Sequence, residues 1–241
     1  MTPQTFVPGV ALVTGAAGGL GTGLITELAR QGWKVAAGFH RQPISAHHGG
    51  IWSVALDVSQ TASVDEAFSQ LMARWERIDL VVNNAGIASD SPLWQMNEED
   101  WTKVLEVDLT GAARVCRRAA HLMATQGNGH IVNISSFSAR SGPRGQTNYA
   151  AAKAGLLGLT VALAQELGPF GVQVNAILPG VLRTPMTESL DSEVLDAFVQ
   201  ANALGRLNEI EEVAKFVVFL AGMKNVSGQV FQLDSRPARW T

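Results

Sequence analysis

Val10-Ala11-Leu12-Val13-Thr14-Gly15-Ala16-Ala17-Gly18-Gly19-Leu20-Gly21 is an apolar run that breaks into glycines and resumes with helical spacing through Leu24 and Leu28. A short aliphatic run, a Gly-rich turn and an amphipathic helix in that order open a βαβ unit. Glycines let such a turn tighten and let backbone N–H groups approach a pyrophosphate, and the helix N-terminus adds about half a positive charge. Gly15, Gly19, Leu20 and Gly21 are therefore candidate nucleotide contacts, beside the plainer reading in which the glycines only serve a tight turn.

The alternation of short apolar runs with helical segments continues along the chain. Strands are expected at Val10–Thr14, Lys34–Phe39, Trp52–Leu56, Leu80–Asn83, His130–Ser135, Val172–Ile177 and Gln229–Leu233, with helices at about 20–31, 62–77, 98–125, 147–168 and 209–221. This pattern predicts an α/β, doubly wound Rossmann fold, a seven-stranded parallel sheet flanked by helices on both faces. Right-handed crossovers bring the carboxyl ends of the strands to one crevice, so the residues just after each strand are the ones to examine. No repeat or linker divides the chain, and residues 1–241 read as a single catalytic domain. The irregular stretch from Pro179 to Leu204, which carries Leu190, Val194, Leu195 and Phe198 at helical spacing, is expected to form a mobile substrate lid over about 180–204.

Composition excludes several classes. With 46% hydrophobic and 16% charged residues the chain can bury a core, which argues against disorder. A net charge of −3, without any block of like charges, offers nothing to nucleic acid. The lone Cys116 cannot form an intramolecular disulfide, and the five histidines lack metal-ligand spacing, so no metal is expected. Met1-Thr2-Pro3-Gln4-Thr5 does not begin a basic-then-apolar leader and no apolar run approaches a membrane span, so a soluble cytoplasmic protein without a membrane partner is expected.

Cofactor choice is read from a missing residue. The NAD form of this fold places an acid at the end of the second strand to hold the ribose 2′-hydroxyl. Here no Asp or Glu lies between Glu27 and Asp57; Phe39 stands at the strand end and Arg41 follows. A guanidinium at Arg41 can hold a 2′-phosphate, which favours NADP(H) over NAD(H), although Arg41 also reads as a solvated loop charge. Asp57 and the run Asn83-Asn84-Ala85-Gly86 fall at the same edge, as turn residues or as sites of close backbone approach to a ligand.

The fifth strand ends in Ser135-Ser136-Phe137-Ser138, and thirteen residues after Ser136 comes Tyr149, with Lys153 four further on. Residues at i and i+4 share a helix face, so phenol and ammonium can project together into the crevice, where a cation favours the phenolate. Such a pair alone is usually a helix-surface pair; the strand-end serine and the nucleotide turn give it weight. Gly-x-Ser-x-Gly is absent, which disfavours a hydrolase.

Thr-Gly-x-x-x-Gly-x-Gly, Asn-Asn-Ala-Gly, Ser-x12-Tyr-x-x-x-Lys and Pro179-Gly180-x-x-x-Thr184 together resemble the short-chain dehydrogenase/reductase family, over essentially the whole chain. Gly-Gly-Leu-Gly-Thr, Ile-Val-Asn-Ile-Ser-Ser and Gly-Gln-Thr-Asn-Tyr-Ala-Ala-Ala-Lys-Ala-Gly look most like acetoacetyl-CoA and 3-oxoacyl-acyl carrier protein reductases. The resemblance implies that Tyr149 protonates a carbonyl oxygen held by Ser136 as hydride arrives from the nicotinamide. It implies that Lys153 binds the nicotinamide ribose and makes Tyr149 more acidic, and that Pro179, Gly180 and Thr184 fix the carboxamide. Asp57 and Val58 would meet the adenine, and Asn84, Ala85 and Gly86 would pack along the adenosine ribose. A homotetramer is implied as well, with the segments at about 98–125 and 147–168 at one interface.

Two positions depart from the family pattern. Asp108, in Val107-Asp108-Leu109-Thr110-Gly111, stands where the family usually has an asparagine that helps hold a proton-relaying water. An ionised carboxylate accepts hydrogen bonds but cannot donate as an amide does, and it adds charge near Lys153. Leu233-Asp234-Ser235-Arg236 stands where relatives commonly have Asp-Gly-Gly. For the substrate, Arg140 and Arg144 suit a CoA or carrier-protein phosphate, or are solvated; Phe137, Leu93, Trp94 and Met186 suit an acyl pocket or the core; Arg114, Arg117 and Arg118 suit an exposed face or a subunit contact. NADPH-dependent reduction of a 3-oxoacyl thioester is the leading expectation. Its rivals are a same-family enzyme for a free ketone, sugar or secondary alcohol, and a nucleotide-binding protein without turnover.

Overall fold

The structure, a computed structural model, describes residues 8–44, 49–185, 187–188 and 191–237. In chain order its elements are β1 (Val10–Val13), α1 (Gly19–Arg30), β2 (Lys34–Phe39), β3 (Ile51–Ala55), α2 (Thr61–Trp75), β4 (Leu80–Asn83), α3 (Glu98–Leu105), a π turn (Glu106–Gly111) and α4 (Ala112–Gln126). Then come β5 (Gly129–Ile134), α5 (Ser138–Ser141), α6 (Thr147–Leu167), a 3-10 turn (Gly168–Phe170), β6 (Val172–Leu178), α7 (Ser192–Ala201), α8 (Ile210–Ala221) and β7 (Val230–Gln232). All seven strands are parallel, in the order β3-β2-β1-β4-β5-β6-β7. The direction of winding reverses between β1 and β4, and in open sheets of this kind the ligand crevice forms at that switch point.

Central strands in a parallel sheet are covered on both faces, which is why β1 and β4 are near-continuous apolar runs and why β5 is buried throughout, His130 and Asn133 included. The period of two still sorts their side chains. Val10, Leu12, Val81 and Ile131 join Phe68, Val115 and Met123 on one face, while Ala11, Val13, Val82 and Val132 join Leu24, Leu28, Val213 and Val217 on the other. Fully buried side chains such as Phe68 and Leu24 each contribute about 1.5–3 kcal/mol through removal from water.

The expected strands agree with the observed ones to within one residue at each end. The expected helix over 98–125 does not run unbroken: a π turn at Glu106–Gly111 separates α3 from α4. Such turns place an extra residue in the helical path and re-aim the side chains beside it. The glycines around it explain how the neighbours fit, because a Cβ at Gly111 would lie 2.8 Å from Val58 Cγ2 and one at Gly155 would lie 2.7 Å from Leu109 Cδ2. The helical pattern of the expected lid is α7, with Phe198 on it, while Met186 and Leu190 lie outside the described residues. Thr147–Phe170 is long and apolar enough to cross a membrane, with a mean hydropathy of 1.2. In this fold the same segment packs on β6 and α3 and carries the buried Lys153.

Candidate active site

The Gly-rich turn is latched to the end of β4 by the Thr14 hydroxyl and the Asn84 side-chain amide. The backbone N–H groups of Asn84 and Ala85 donate to the Thr14 hydroxyl at 3.0 and 2.9 Å, and Asn84 Nδ2 donates to the carbonyls of Thr14 and Gly15, each at 3.0 Å. Gly15 has φ +61°, and a Cβ there would lie 2.7 Å from Ala85 Cα, so both conformation and space require glycine. Ala16 N–H reaches the Gly38 carbonyl at 2.9 Å, which ties the same turn to the end of β2. Thr14, which sequence reasoning left out, is thus the hub of the latch; a threonine directly before the first glycine was the available signal.

The N-terminus of α1 begins after Gly18 with no side-chain cap and no acid in the first turn. First-turn N–H groups have no helical partner of their own. Gly19 closes the other wall: a Cβ on it would lie 2.8 Å from Thr184 Cγ2, so the loop after β6 reaches the turn after β1. Leu20 and Gly21 are buried behind it. This cradle of uncapped N–H donors and close-packed glycines fits a dinucleotide pyrophosphate. Pro179 is buried and its carbonyl accepts from Asn208 Nδ2 at 2.8 Å, while Gly180, at φ +82°, abuts Asp234.

At the adenine end, Asp57 caps its own turn, with Oδ1 accepting from Ser59 N–H at 2.9 Å and Ser59 Oγ at 2.7 Å, and with His40 Nε2 3.4 Å from Oδ2. Val58 is buried against Gly111. Arg41 is exposed just beyond β2 and makes no ion pair among the described residues. Asn83, beside the Asn84 latch, is a core residue. Its Nδ2 donates to Asn133 Oδ1 at 2.8 Å, and Asn133 Nδ2 donates to Thr160 Oγ1 at 2.9 Å, a buried chain that joins β4, β5 and α6.

The chemical end gathers around α6. Ser136 follows β5 and its hydroxyl accepts from Ser138 N–H at 3.1 Å; the adjacent Ser135 Oγ donates to the Lys153 carbonyl at 2.8 Å and so fixes α6 against the strand end. Tyr149 is half-buried, and Lys153 Nζ lies 5.5 Å from its ring centroid. Lys153 is buried, donates to the Ile134 carbonyl at 3.2 Å, and pairs with Asp108 Oδ2 at 3.1 Å. Burial works against the Lys153 ammonium, but the charges of Asp108 and Tyr149 outweigh it and push the Lys153 pKa up. Burial also pushes the Asp108 carboxyl up, opposed by Lys153 and by the Ile87 N–H that donates to Oδ1 at 2.8 Å. Gly86 backs onto this pair: a Cβ on it would lie 2.8 Å from Asp108 Oδ2 and 3.1 Å from Lys153 Nζ.

The remaining candidates sort by exposure. Leu93 and Trp94, 55% and 76% exposed, are not core residues. Phe137 stacks edge-on with Phe198 of α7 at 5.7 Å, and the Arg236 guanidinium sits 3.8 Å from the Phe137 ring centroid. The aromatic contact to α7 and the arginine from the tail were both missed; the departure at Ser235-Arg236 was the only signal. Arg140 and Arg144 are exposed. Arg114 pairs with Glu106 and Arg118 lies 3.6 Å from Asp65, contacts within the fold, while Arg117 is exposed.

Residues 15–235 match a family model described as enoyl-(acyl carrier protein) reductase. The chain is 38% identical over 239 residues to the 3-oxoacyl-(acyl-carrier-protein) reductase of Thermotoga maritima, covering 93% of this chain and 96% of the relative. It is 41% identical over 217 residues to the acetoacetyl-CoA reductase of Rhizobium meliloti, with 88% and 90% covered. The (3R)-3-hydroxyacyl-CoA dehydrogenase of Homo sapiens is 38% identical over 232 residues, with 88% of each chain covered. Among solved structures, levodione reductase superposes with a TM-score of 0.89 at 31% identity, over 95% of this chain and 97% of that one. ElxO with NADP bound gives a TM-score of 0.88 at 26% identity, over 95% and 98%.

Proposed function

Because this chain belongs to the short-chain dehydrogenase/reductase family and is an NAD(P)-dependent oxidoreductase, we propose that it reduces a 3-oxoacyl thioester to the 3-hydroxyacyl thioester, with NADPH as donor. The observation that carries this reading is identity of 38–41% over most of the chain to relatives named for 3-oxoacyl and acetoacetyl-CoA reduction. Gly15, Gly19, Leu20, Gly21, Asn84, Ala85 and Gly86 would line the dinucleotide, Asp57 and Val58 its adenine end, and Pro179, Gly180 and Thr184 its carboxamide. Arg41, with no acid at the end of β2, would take the 2′-phosphate. When bound, the nicotinamide supplies the hydride.

The chain's own residues supply position and a proton. Ser136 donates a hydrogen bond to the carbonyl oxygen and fixes it; Tyr149 gives that oxygen its proton as a general acid; Lys153, held by Ile134 and Asp108, orients the nicotinamide ribose. The exposed small and apolar residues Ala151, Ala154, Gly158, Val161 and Ala162 along α6 support a homotetramer assembled on that helix, and the relatives' chemistry suits a cytoplasmic enzyme. A second reading, reduction of a free carbonyl, draws on the likeness to levodione reductase.

The test is loss of NADPH absorbance with acetoacetyl-CoA for wild type and Tyr149→Phe. Wild type should turn over and the variant should lose about 10²–10⁴-fold in kcat, the usual share of a general acid, with NADPH affinity kept. Turnover of simple ketones without response to the thioester would favour the second reading, and undiminished turnover in Tyr149→Phe would remove the assigned role.

A further inference from the structure

Asp108 is wholly buried, with its side chain 0% exposed, and it meets Lys153 directly. Its two oxygens face different partners: Oδ2 forms an ion pair with Lys153 Nζ at 3.1 Å and has no other partner among the described residues, while Oδ1 accepts Ile87 N–H at 2.8 Å. Gly86 seals the side of the pair, since even a methyl there would lie 2.8 Å from Oδ2. The π turn is what delivers this geometry, because it carries Asp108 inward between the β4 loop and α6. The cation that faces the Tyr149 ring at 5.5 Å therefore has a carboxylate oxygen paired with it at 3.1 Å. A lone buried ammonium at that range would stabilise the phenolate; an ammonium paired with a carboxylate presents nearly no net charge.

We propose that Asp108 is a positioning residue that cancels the Lys153 charge seen by Tyr149, so that the phenol keeps its proton to higher pH and the site is biased toward delivering it to a carbonyl. This rests on the reductase reading above and specifies its pH control. The other charged groups on elements packed against α6 are paired or exposed. Glu106 of the π turn pairs with Arg114, and Arg118 of α4 lies beside Asp65. Asp100 of α3 accepts from Asn97 Nδ2, Lys103 is exposed, and Asp90 accepts from Gln146 Nε2. Arg140 of α5 and the nearby Arg144 are exposed, Arg236 pairs with Asp234, and His130 of β5 contacts Asn175. Asp108 is thus the group in direct contact with the Lys153 ammonium.

Tyr149 is the only tyrosine in the chain, so the near-ultraviolet phenolate band reports it alone, with Tyr149→Phe as the blank. The experiment titrates that band in the full-length protein, without substrate, for wild type, Asp108→Asn, and Asp108→Asn with Lys153→Met. Unmasking the lysine in Asp108→Asn should lower the phenolate midpoint by about one unit, the smaller end of the effect of a nearby opposite charge. The double variant, with neither charge, should return within about half a unit of wild type, because a cancelled pair and an absent pair act alike on a third group. The alkaline limb of kcat/KM for reduction should move down with the midpoint in Asp108→Asn. An unmoved midpoint in Asp108→Asn overturns the proposal. Should that variant not fold, the double variant, which buries no charge, decides: a midpoint well above wild type, the sign of a lysine that acts on Tyr149 uncancelled, overturns it. The band is read without turnover, so a shifted midpoint with no carbonyl reduced would refute the reductase reading and leave charge cancellation standing; turnover with no shift would do the reverse.

Discussion

Around Gly15 the crevice wall is held by uncharged hydrogen bonds that the Thr14 hydroxyl and the Asn84 amide make to the main chain, whereas around Lys153 it is held by ionisable side chains. The first wall joins Thr14, Gly15, Asn84 and Ala85 through four contacts of 2.9 to 3.0 Å, and Gly15, Gly19 and Gly21 leave no space for a Cβ. The second joins Asp108, Lys153 and Tyr149 through charge, and extends to Arg236 stacked on Phe137. Uncharged contacts of this kind do not titrate, but they fail abruptly where a side chain must not exist. Charged contacts tolerate small shifts in position, but their strength depends on pH and on every neighbouring charge. Substitutions in the first wall should therefore act on cofactor affinity and folding, and those in the second on rate and its pH dependence.

The comparison breaks most visibly at Gly15. Gly15→Val forces a β-branched residue into φ +61° with Ala85 Cα 2.7 Å from its Cβ. Strain of this kind costs about 1–3 kcal/mol, and each latch hydrogen bond lost adds about 1 kcal/mol. NADPH affinity should fall by about a hundredfold or more, at about 1.4 kcal/mol per tenfold, with a lower melting temperature. Fluorescence titration of bound NADPH together with thermal unfolding reads both. Unchanged affinity would mean that the turn does not cradle the dinucleotide.

A sharper version separates the two cofactors. Arg41 lies beside the first wall but is a charge, and so is the exception to its uncharged character. Arg41→Ala should weaken NADPH binding about tenfold, the low end for an exposed charge-assisted contact, and leave NADH binding nearly unchanged. Equal loss for both would assign Arg41 to the loop and not to the 2′-phosphate.

The strand-end residues were legible because a parallel sheet obliges them to share an edge: Gly15, Asn84, Ser136 and Pro179 each follow an apolar run, and the fold does the rest. Tyr149 and Lys153 were legible because a helix period of 3.6 sets i and i+4 on one face. The π turn was not, since one extra residue in a helical path leaves an apolar periodicity almost intact; Gly111 against Val58 shows its need only in three dimensions. Asp108 was legible as a departure, whereas its direct contact with Lys153 depended on that turn. Asn83 illustrates the opposite error, an amide next to a ligand-edge motif that instead satisfies buried Asn133. The tail was illegible for another reason: its partners lie more than thirty residues away in sequence.

Those tail contacts supply the gentlest test of the second wall. Ser235 reaches the turn after α7: its carbonyl accepts Ala203 N–H at 3.0 Å, its hydroxyl accepts Leu204 N–H at 3.1 Å and donates to Asn202 Oδ1 at 3.2 Å. Because α7 also places Phe198 against Phe137, the tail and the strand-end loop grip the same helix from two sides. Ser235→Gly keeps the main-chain contact and deletes both hydroxyl contacts, about 0.5–1.5 kcal/mol each at partly exposed positions. If α7 orders over substrate, KM for acetoacetyl-CoA should rise a few-fold while kcat and NADPH affinity stay put, as expected when binding is lost equally from ground and transition states. A fall in kcat with KM unchanged would instead connect the tail to Tyr149 chemistry, and would extend the second wall's charged character to the end of the chain.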